Sequence, residues 1–274
     1  MDDVGVADRN PGPTVGPALS RGVQGVAGST THVVIIPSFN SGGLLATTVA
    51  AARAHWAPVW IVDDGSTDGS CQAVEAMART DPGLRVLRLP VNGGKGVAVR
   101  HGLGAAQAGG FTHALVMDAD GQHPADRIPA FMAASAAAPD ALVMGRPEFG
   151  ADAPWVRVVG RRLCNGCAML ETLRLVGDTL FGFRVYPVGA LLSAMQASRG
   201  MKGFDFDPEA AVRLAWQGAP LIHLPAKVRY LHHTEGGVSH FNYVRDNVLL
   251  IGMHLRLSLA AVTRIFRRAQ SKRR

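Results

Sequence analysis

The stretch Ala114-Leu-Val-Met-Asp118-Ala-Asp120-Gly-Gln122-His123-Pro124-Ala-Asp126 decides the fold. Ala114 to Met117 is a short apolar run of the kind that forms a buried strand of a parallel sheet. It stops at two carboxylates, a glycine and an amide. Ligands of open α/β sheets bind beyond the carboxyl ends of the strands, so these polar groups face a binding crevice. Asp118 and Asp120 stand two residues apart, which puts both side chains on one side of an extended segment. Carboxylate, amide and water oxygens suit a hard cation such as Mg2+ or Mn2+, which would bridge phosphates. The competing reading is a loop whose aspartates only cap the helix after Asp126, and an Asp-x-Asp alone does not separate the two.

The same arrangement recurs outward from this stretch. His32–Ile36 reads as a first strand closed by Pro37, after which Ser38-Phe39-Asn40-Ser41 turns into a helix from about Leu44 to Ala54. Val59–Val62 is a second strand ending in Asp63-Asp64-Gly65-Ser66-Thr67-Asp68, ahead of a helix over Ser70–Arg79. Arg85–Leu89 is a third, followed by Asn92-Gly93-Gly94-Lys95-Gly96 and a helix over Val97–Ala108. Asp140–Met144 is the fifth and ends in Gly145-Arg146. Such a succession of strand–loop–helix units predicts a parallel sheet with right-handed crossovers. Two familiar phosphate signatures are excluded. Lys95 is followed by Gly96 rather than Ser or Thr, and the Ser38–Gly43 turn lacks Gly-x-Gly-x-x-Gly.

The second half is less regular. Trp155–Leu175 has helical spacing, with Val156, Val159, Leu163, Met169 and Leu173 as the expected buried positions. Asp178 to Tyr186 reads as a loop and short strand, and Gly203 to Glu209 opens a helix reaching about Gln217. Acidic residues suit the amino-terminal end of that helix. Leu221–Leu224 and Lys227–Tyr230 look like edge strands, and His232 to Phe241 is a polar, His-rich loop.

With 274 residues, 32 of them glycine, and 47% hydrophobic content, the chain fits a loop-rich globular enzyme. Cys71, Cys164 and Cys167 offer no disulfide framework, and Cys164-Asn-Gly-Cys167 lacks the second pair of a zinc site, so buried thiols in a reducing cytosol are expected. Residues 1–30 have no periodicity and read as a flexible tail, without the basic region and apolar core of a signal peptide. The net charge of +7 is placed unevenly. After Asp246 there is no acidic residue, while Arg256, Arg264, Arg267, Arg268, Lys272, Arg273 and Arg274 are all basic. Asn247–Phe266 is strongly apolar, but His254 and Arg256 interrupt it. A charge at the centre of a membrane span costs about 2.5–3.5 kcal/mol, which argues against spanning. Either the segment is an amphipathic helix lying in the interface with its basic residues on anionic lipid, or it is a core helix with a solvated tail. The tail is matched to lipid rather than to nucleic acid.

Taken together, Val34-Ile-Ile-Pro-Ser-Phe-Asn40, Val62-Asp-Asp-Gly-Ser-Thr-Asp68, Asn92-Gly-Gly-Lys-Gly96 and Met117-Asp-Ala-Asp-Gly-Gln-His123 resemble the inverting family 2 glycosyltransferases of the GT-A fold, and most of all the polyprenyl- (dolichyl-) phosphate sugar synthases. Gly182-Phe-Arg184 and Glu209 extend the resemblance, which covers residues 31–235, leaving 236–274 for a loop, an apolar helix and a basic tail. It implies a mostly parallel sheet flanked by helices, with a donor half followed by an acceptor half. Pro37, Asn40, Asp64, Lys95 and Gly96 would adjoin the nucleotide of a UDP- or GDP-sugar, and Asp118, Asp120 and Gln122 would hold the Mg2+ or Mn2+. Arg146 and Arg184 would lie near the donor diphosphate and the acceptor phosphate. A polyprenyl phosphate acceptor needs no base. A hydroxyl acceptor would need one, for which Asp205 or Asp207 could serve, although their place at a helix start also suits capping. A catalytically silent nucleotide- or membrane-binding scaffold is the third reading. The resemblance implies an enzyme held peripherally on the cytoplasmic membrane face.

Overall fold

The computed structural model describes residues 28–149, 155–229 and 243–271. Most of the expected amino-terminal tail and the His232-to-Phe241 loop fall outside these residues, as does the side chain of Val156.

The first half alternates β1 (His32–Ser38), α1 (Leu44–His55), β2 (Val59–Asp63), α2 (Ser70–Thr80), β3 (Leu84–Arg88), α3 (Lys95–Ala108) and β4 (His113–Val116). A short 3-10 turn and α4 (Ile128–Ala137) lead into β5 (Leu142–Glu148). Then come α5 (Trp155–Thr172), β6 (Arg184–Pro187), α6 (Val188–Gln196), α7 (Phe206–Gln217), β7 (Leu221–Lys227) and α8 (Tyr243–Ser271). Among the described residues the strands form one seven-stranded sheet in the order β3-β2-β1-β4-β6-β5-β7. β1 to β4 are parallel to one another, as expected. The fifth strand does not join them directly, because β6 lies between β4 and β5 and runs antiparallel to both. Val185 and Tyr186 of β6 are fully buried, so this strand suits the centre of the sheet, yet four residues are too few to show a period. The two expected edge strands are one, β7, pairing with β5 through Leu221 to Lys227. Pro225 lies within it, where a residue without an N–H is tolerated because the strand is at the edge of the sheet.

Side chains alternate across the sheet. Val33 and Ile35 of β1 enter the core under α3, α6 and α7, while Val34 and Ile36 enter the opposite core under α1, α2 and α4. Burial on both faces explains why these strands read as unbroken apolar runs. Cys71, Cys164 and Cys167 are free thiols.

The outer helices depart from expectation. α5 turns Cys164, Ala168 and Glu171 inward, whereas Val159, Leu163, Met169 and Leu173 are exposed. The predicted apolar stripe exists, but it is exposed instead of buried in the core. α8 has two faces. Asp246, Met253, Leu257 and Ala261 are buried, the last three packing near Ala168 of α5 and Val212 of α7 or continuing that line. Val244, Val248, Ile251, Leu255, Leu259, Val262 and Phe266 are exposed, at spacings of three or four residues along the opposite side. α8 therefore packs one face on the domain and turns an apolar face outward.

Candidate active site

The carboxyl ends of β1, β2 and β4 open into one cavity of about 1150 Å³. Pro37 and Ser38 follow β1 there, Asp64 follows β2, and Asp118, Asp120 and Gln122 follow β4. This is where a parallel sheet must bind its ligand, since its loops converge only at that edge. Asp64 shapes the neighbouring loop: its two carboxylate oxygens accept from the amides of Gly93 (2.9 Å) and Gly94 (2.7 Å). Burial pushes the Asp64 carboxyl up, and those two amides oppose the shift. Asn40 ties the first loop to the second. Its amide oxygen accepts from Thr67 N at 2.8 Å and its own N–H donates to Ser66 Oγ at 3.0 Å. Asn40 lies between Phe39 and Ser41, which line the cavity, and its bonds hold the two loops together.

Lys95 begins α3 and reaches into the acidic floor. Its ammonium lies 2.5 Å from Asp118 Oδ1 and 2.6 Å from Asp207 Oδ2, so an aspartate of each half of the chain meets on one cation. Burial alone would lower the Lys95 pKa, but Asp118 and then Asp207 hold it above its ordinary value. Asp118 is likewise penalised by burial, yet Lys95 and then His123 keep its carboxyl below the usual range. Asp120 shifts the other way: burial, then the Asp118 charge, push it up. Gly96 is buried and its N–H donates to Lys202 O at 2.9 Å. A side chain there would run into the Met201 carbonyl, so Gly96 serves the close approach of α3 to the 201–202 loop. It does not line the cavity.

Two carboxylates that repel each other, with a neighbouring amide and an ammonium already drawn to one of them, form a donor set that fits a hard divalent cation. Among the described residues no three His, Cys, Asp or Glu side chains form a cage for an ion. Asp118, Asp120 and Gln122 would therefore hold it incompletely, with diphosphate oxygens and water completing the shell.

Both arginines depart from the expected placement. Arg184 is fully buried. Its guanidinium donates to the carbonyls of Phe181 (2.9 Å), Asp207 (2.6 Å) and Asp178 (3.2 Å) and to Tyr186 Oη (3.4 Å). Four bonds within the protein leave no fork for a phosphate, so Arg184 braces the start of α7 against β6. Arg146 is exposed and outside the cavity, because β5 continues past Gly145 to Glu148 in register with β7. Asp205 lines the cavity and ties down the loop ahead of α7: its oxygens accept from Met201 N (2.8 Å) and Gly203 N (2.9 Å), and its side chain makes no capping bond to the helix itself. Asp207 also lines the cavity, and its Oδ1 is buried without a hydrogen-bond partner.

Sequence reasoning gave His123 no role, although it lies inside the decisive stretch. His123 Nδ1 accepts from the Asp118 amide at 3.0 Å, and its ring stands edge-on to Phe181 with centroids 4.8 Å apart. Burial pushes its pKa down, which suits an acceptor nitrogen. The far wall was missed too. Arg199 and Lys202 come from the loop before α7, and Leu249, Leu250 and Arg256 from α8. Arg256 Nη2 reaches Glu209 Oε2 at 3.3 Å. Nothing in the periodicity of α8 signals that it completes a cavity.

Comparison with known proteins agrees with this geometry. A family model described as glycosyl transferase family 2 matches residues 33–190, more than half of the chain. The chain is 26% identical over 199 residues to an undecaprenyl-phosphate mannosyltransferase of Micrococcus luteus, covering 70% of this chain and 81% of that one. It is also 26% identical over 200 residues to a polyprenol monophosphomannose synthase of Mycolicibacterium smegmatis, covering 70% and 75%. Among solved structures, the mannosyltransferase PcManGT from Pyrobaculum calidifontis, in complex with GDP-Man and Mn2+, superposes with a TM-score of 0.57 at 19% identity, covering 85% of this chain and 64% of that one. The mixed, mostly parallel sheet with its carboxylate-lined edge is a GT-A fold, and the chain belongs to glycosyl transferase family 2.

Proposed function

We propose that this glycosyltransferase moves a hexose, with inversion, from a GDP- or UDP-sugar to the phosphate of a polyprenyl phosphate. The observation that carries the reading is one cavity with an acidic floor and a basic far wall, bordered by the two helices that turn apolar faces outward. Asp118, Asp120 and Gln122 would hold Mg2+ or Mn2+, which supplies neutralisation of the charge developing on the departing diphosphate. Pro37 and the loop pinned by Asp64 border the nucleotide, and Lys95 stands beside the diphosphate. Arg199 and Lys202 have no ion pair among the described residues and offer their charge to the acceptor phosphate.

An acceptor phosphate oxygen attacks the anomeric carbon as the bond to the diphosphate breaks, and the bonding pair leaves with the nucleotide. No proton has to be removed. Asp205 supports this version, since both its oxygens accept from amides of the loop before α7. The two relatives, one named for undecaprenyl phosphate and the other for polyprenol monophosphomannose, support the same acceptor. The unpartnered Oδ1 of Asp207 favours one rival, a hydroxyl acceptor with Asp207 as base. The outward apolar faces of α5 and α8 and the basic residues of the carboxyl-terminal tail match an anionic bilayer, on its cytoplasmic side.

The experiment is transfer of labelled hexose from GDP-mannose and UDP-glucose to undecaprenyl phosphate and to undecaprenol, with Mg2+ or Mn2+. Label in the phosphodiester, retained by Asp207→Asn, supports the proposal. Label only in the alcohol, lost by about 10²–10⁴-fold in Asp207→Asn, overturns it in favour of the base reading.

A further inference from the structure

The contact that the proposed reaction does not require is the one Lys95 makes with Asp118. A residue reserved for a diphosphate has no need to sit on a metal ligand, yet Nζ lies 2.5 Å from Asp118 Oδ1. Its second anchor, Asp207 Oδ2 at 2.6 Å, belongs to the other half of the chain. The Lys95 side chain is 13% exposed and that of Asp207 is 7% exposed, so neither charge is satisfied by solvent. An ammonium has three N–H donors, and two are committed to these carboxylates. The third remains for an incoming oxygen. Asp207 Oδ1 is buried and unpartnered, so Asp207 can keep the ammonium after its bond to Asp118 is broken. Gly182 makes room for the cluster: a Cβ there would lie 2.7 Å from Lys95 Nζ and 3.1 Å from Asp118 Oδ2.

We propose that Lys95 is a tethered competitor of the divalent cation, occupying Asp118 until a diphosphate draws the ammonium away. The inference rests on the metal assignment made above and adds an order of events. Without nucleotide, an ion reaching Asp118 must displace a buried ammonium from the same carboxylate. With nucleotide, the ammonium exchanges Asp118 for a diphosphate oxygen while staying on Asp207, and both oxygens of Asp118 become available. The cation therefore enters with the donor, and the donor-free enzyme binds it weakly. Gly182 and Lys95 thereby share one task, since a larger residue at 182 would push on the ammonium and the carboxylate together.

The test is Mn2+ binding to the full chain, followed by the electron paramagnetic resonance of the free ion, with and without GDP or UDP. For Lys95→Gln and Lys95→Met, Mn2+ alone should bind about ten-fold or more tightly than to wild type, because a competing cation has left a poorly screened site. The help that the nucleotide gives Mn2+ should shrink correspondingly. Equal or weaker Mn2+ binding in a folded variant, judged by its thermal transition, overturns the proposal while leaving the metal site standing. If wild type and variants ignore Mn2+ even with both nucleotides present, the metal assignment falls and takes this inference with it. Should the neutral variants fail to fold, the wild type decides. The Lys95 15Nζ resonance, assigned with Lys95→Arg, should move when Mg2+ and nucleotide are added together but not with Mg2+ alone, and an equal shift with Mg2+ alone overturns the proposal.

Discussion

The guanidinium of Arg184 is fully occupied by the protein, and that fixes what its loss should do. Arg184→Lys removes the fork that serves the carbonyls of Phe181, Asp207 and Asp178 together. Each buried acceptor left unsatisfied costs about 1–3 kcal/mol, so the variant should lose several degrees of thermal stability. Turnover per folded molecule should change far less. An unchanged melting temperature with lost turnover would return Arg184 to the acceptor phosphate. Asp120 predicts the reverse pattern. Burial and the Asp118 charge raise its pKa, so at neutral pH its ionised form opposes folding. Asp120→Asn should melt at the same temperature or higher, yet lose about 10²–10³-fold or more in turnover, the order expected when charge stabilisation is removed from a transition state. A variant with wild-type turnover would remove Asp120 from the site. That Asp64, Lys95, Asp118, Asp120 and Gln122 line one cavity was legible in the sequence, because each follows a strand that ends at the same edge of the sheet. Arg146 and Arg184 were not, because a motif fixes position along the chain while burial depends on partners far away in it.

At the scale of elements, α5 and α8 are joined by one polar clasp. His254 on α8 donates from Nδ1 to Glu171 Oε1 at 2.9 Å, and its Nε2 lies 3.1 Å from Cys164 Sγ, both partners being on α5. Burial would lower its pKa, but bonds to Cys164 and Glu171 raise it to about 10. A raised histidine stabilises the fold fully below its unfolded value of 6.5, and the contribution fades as pH climbs towards about 10. Between those limits wild type should lose thermal stability faster than His254→Gln, and parallel curves for the two proteins would rule the clasp out. The helices themselves were legible from their spacing, as were the strands in the first half. Which way their apolar stripes face was not. Val159, Leu163 and Leu173 have the same spacing whether they meet a protein core or the acyl region of a bilayer. Only the competing inner face, Cys164, Ala168 and Glu171, settles it, and Glu171 carries a charge that a sequence reading assigns to the surface.

For the molecule as a whole, the wall of the cavity and the outward apolar face are two sides of the same helices. Leu249, Leu250 and Arg256 line the cavity, while Val248, Ile251 and Leu255 are exposed on the other side of α8. Val159 and Leu163 belong to both descriptions on α5. A lipid-linked acceptor could then place its phosphate against Arg199 and Lys202 without its chain leaving the apolar face. Replacing Ile251, Leu255 and Leu259 with serine removes apolar area from the outer stripe only. Each fully buried leucine or isoleucine contributes about 1.5–3 kcal/mol, so the triple variant should release from anionic vesicles by about ten-fold or more even where salt has little effect. Its kcat/KM for a long polyprenyl phosphate embedded in vesicles should fall by a similar factor. With a short, water-soluble prenyl phosphate the rate should stay within about two-fold of wild type, because no group of the acidic floor or basic wall has been altered. If the short acceptor is lost as severely as the long one, the outer stripe supports the fold of the site instead of its seat on lipid. If vesicle binding and the long-acceptor rate are both unchanged, the apolar face of α8 does not meet the bilayer.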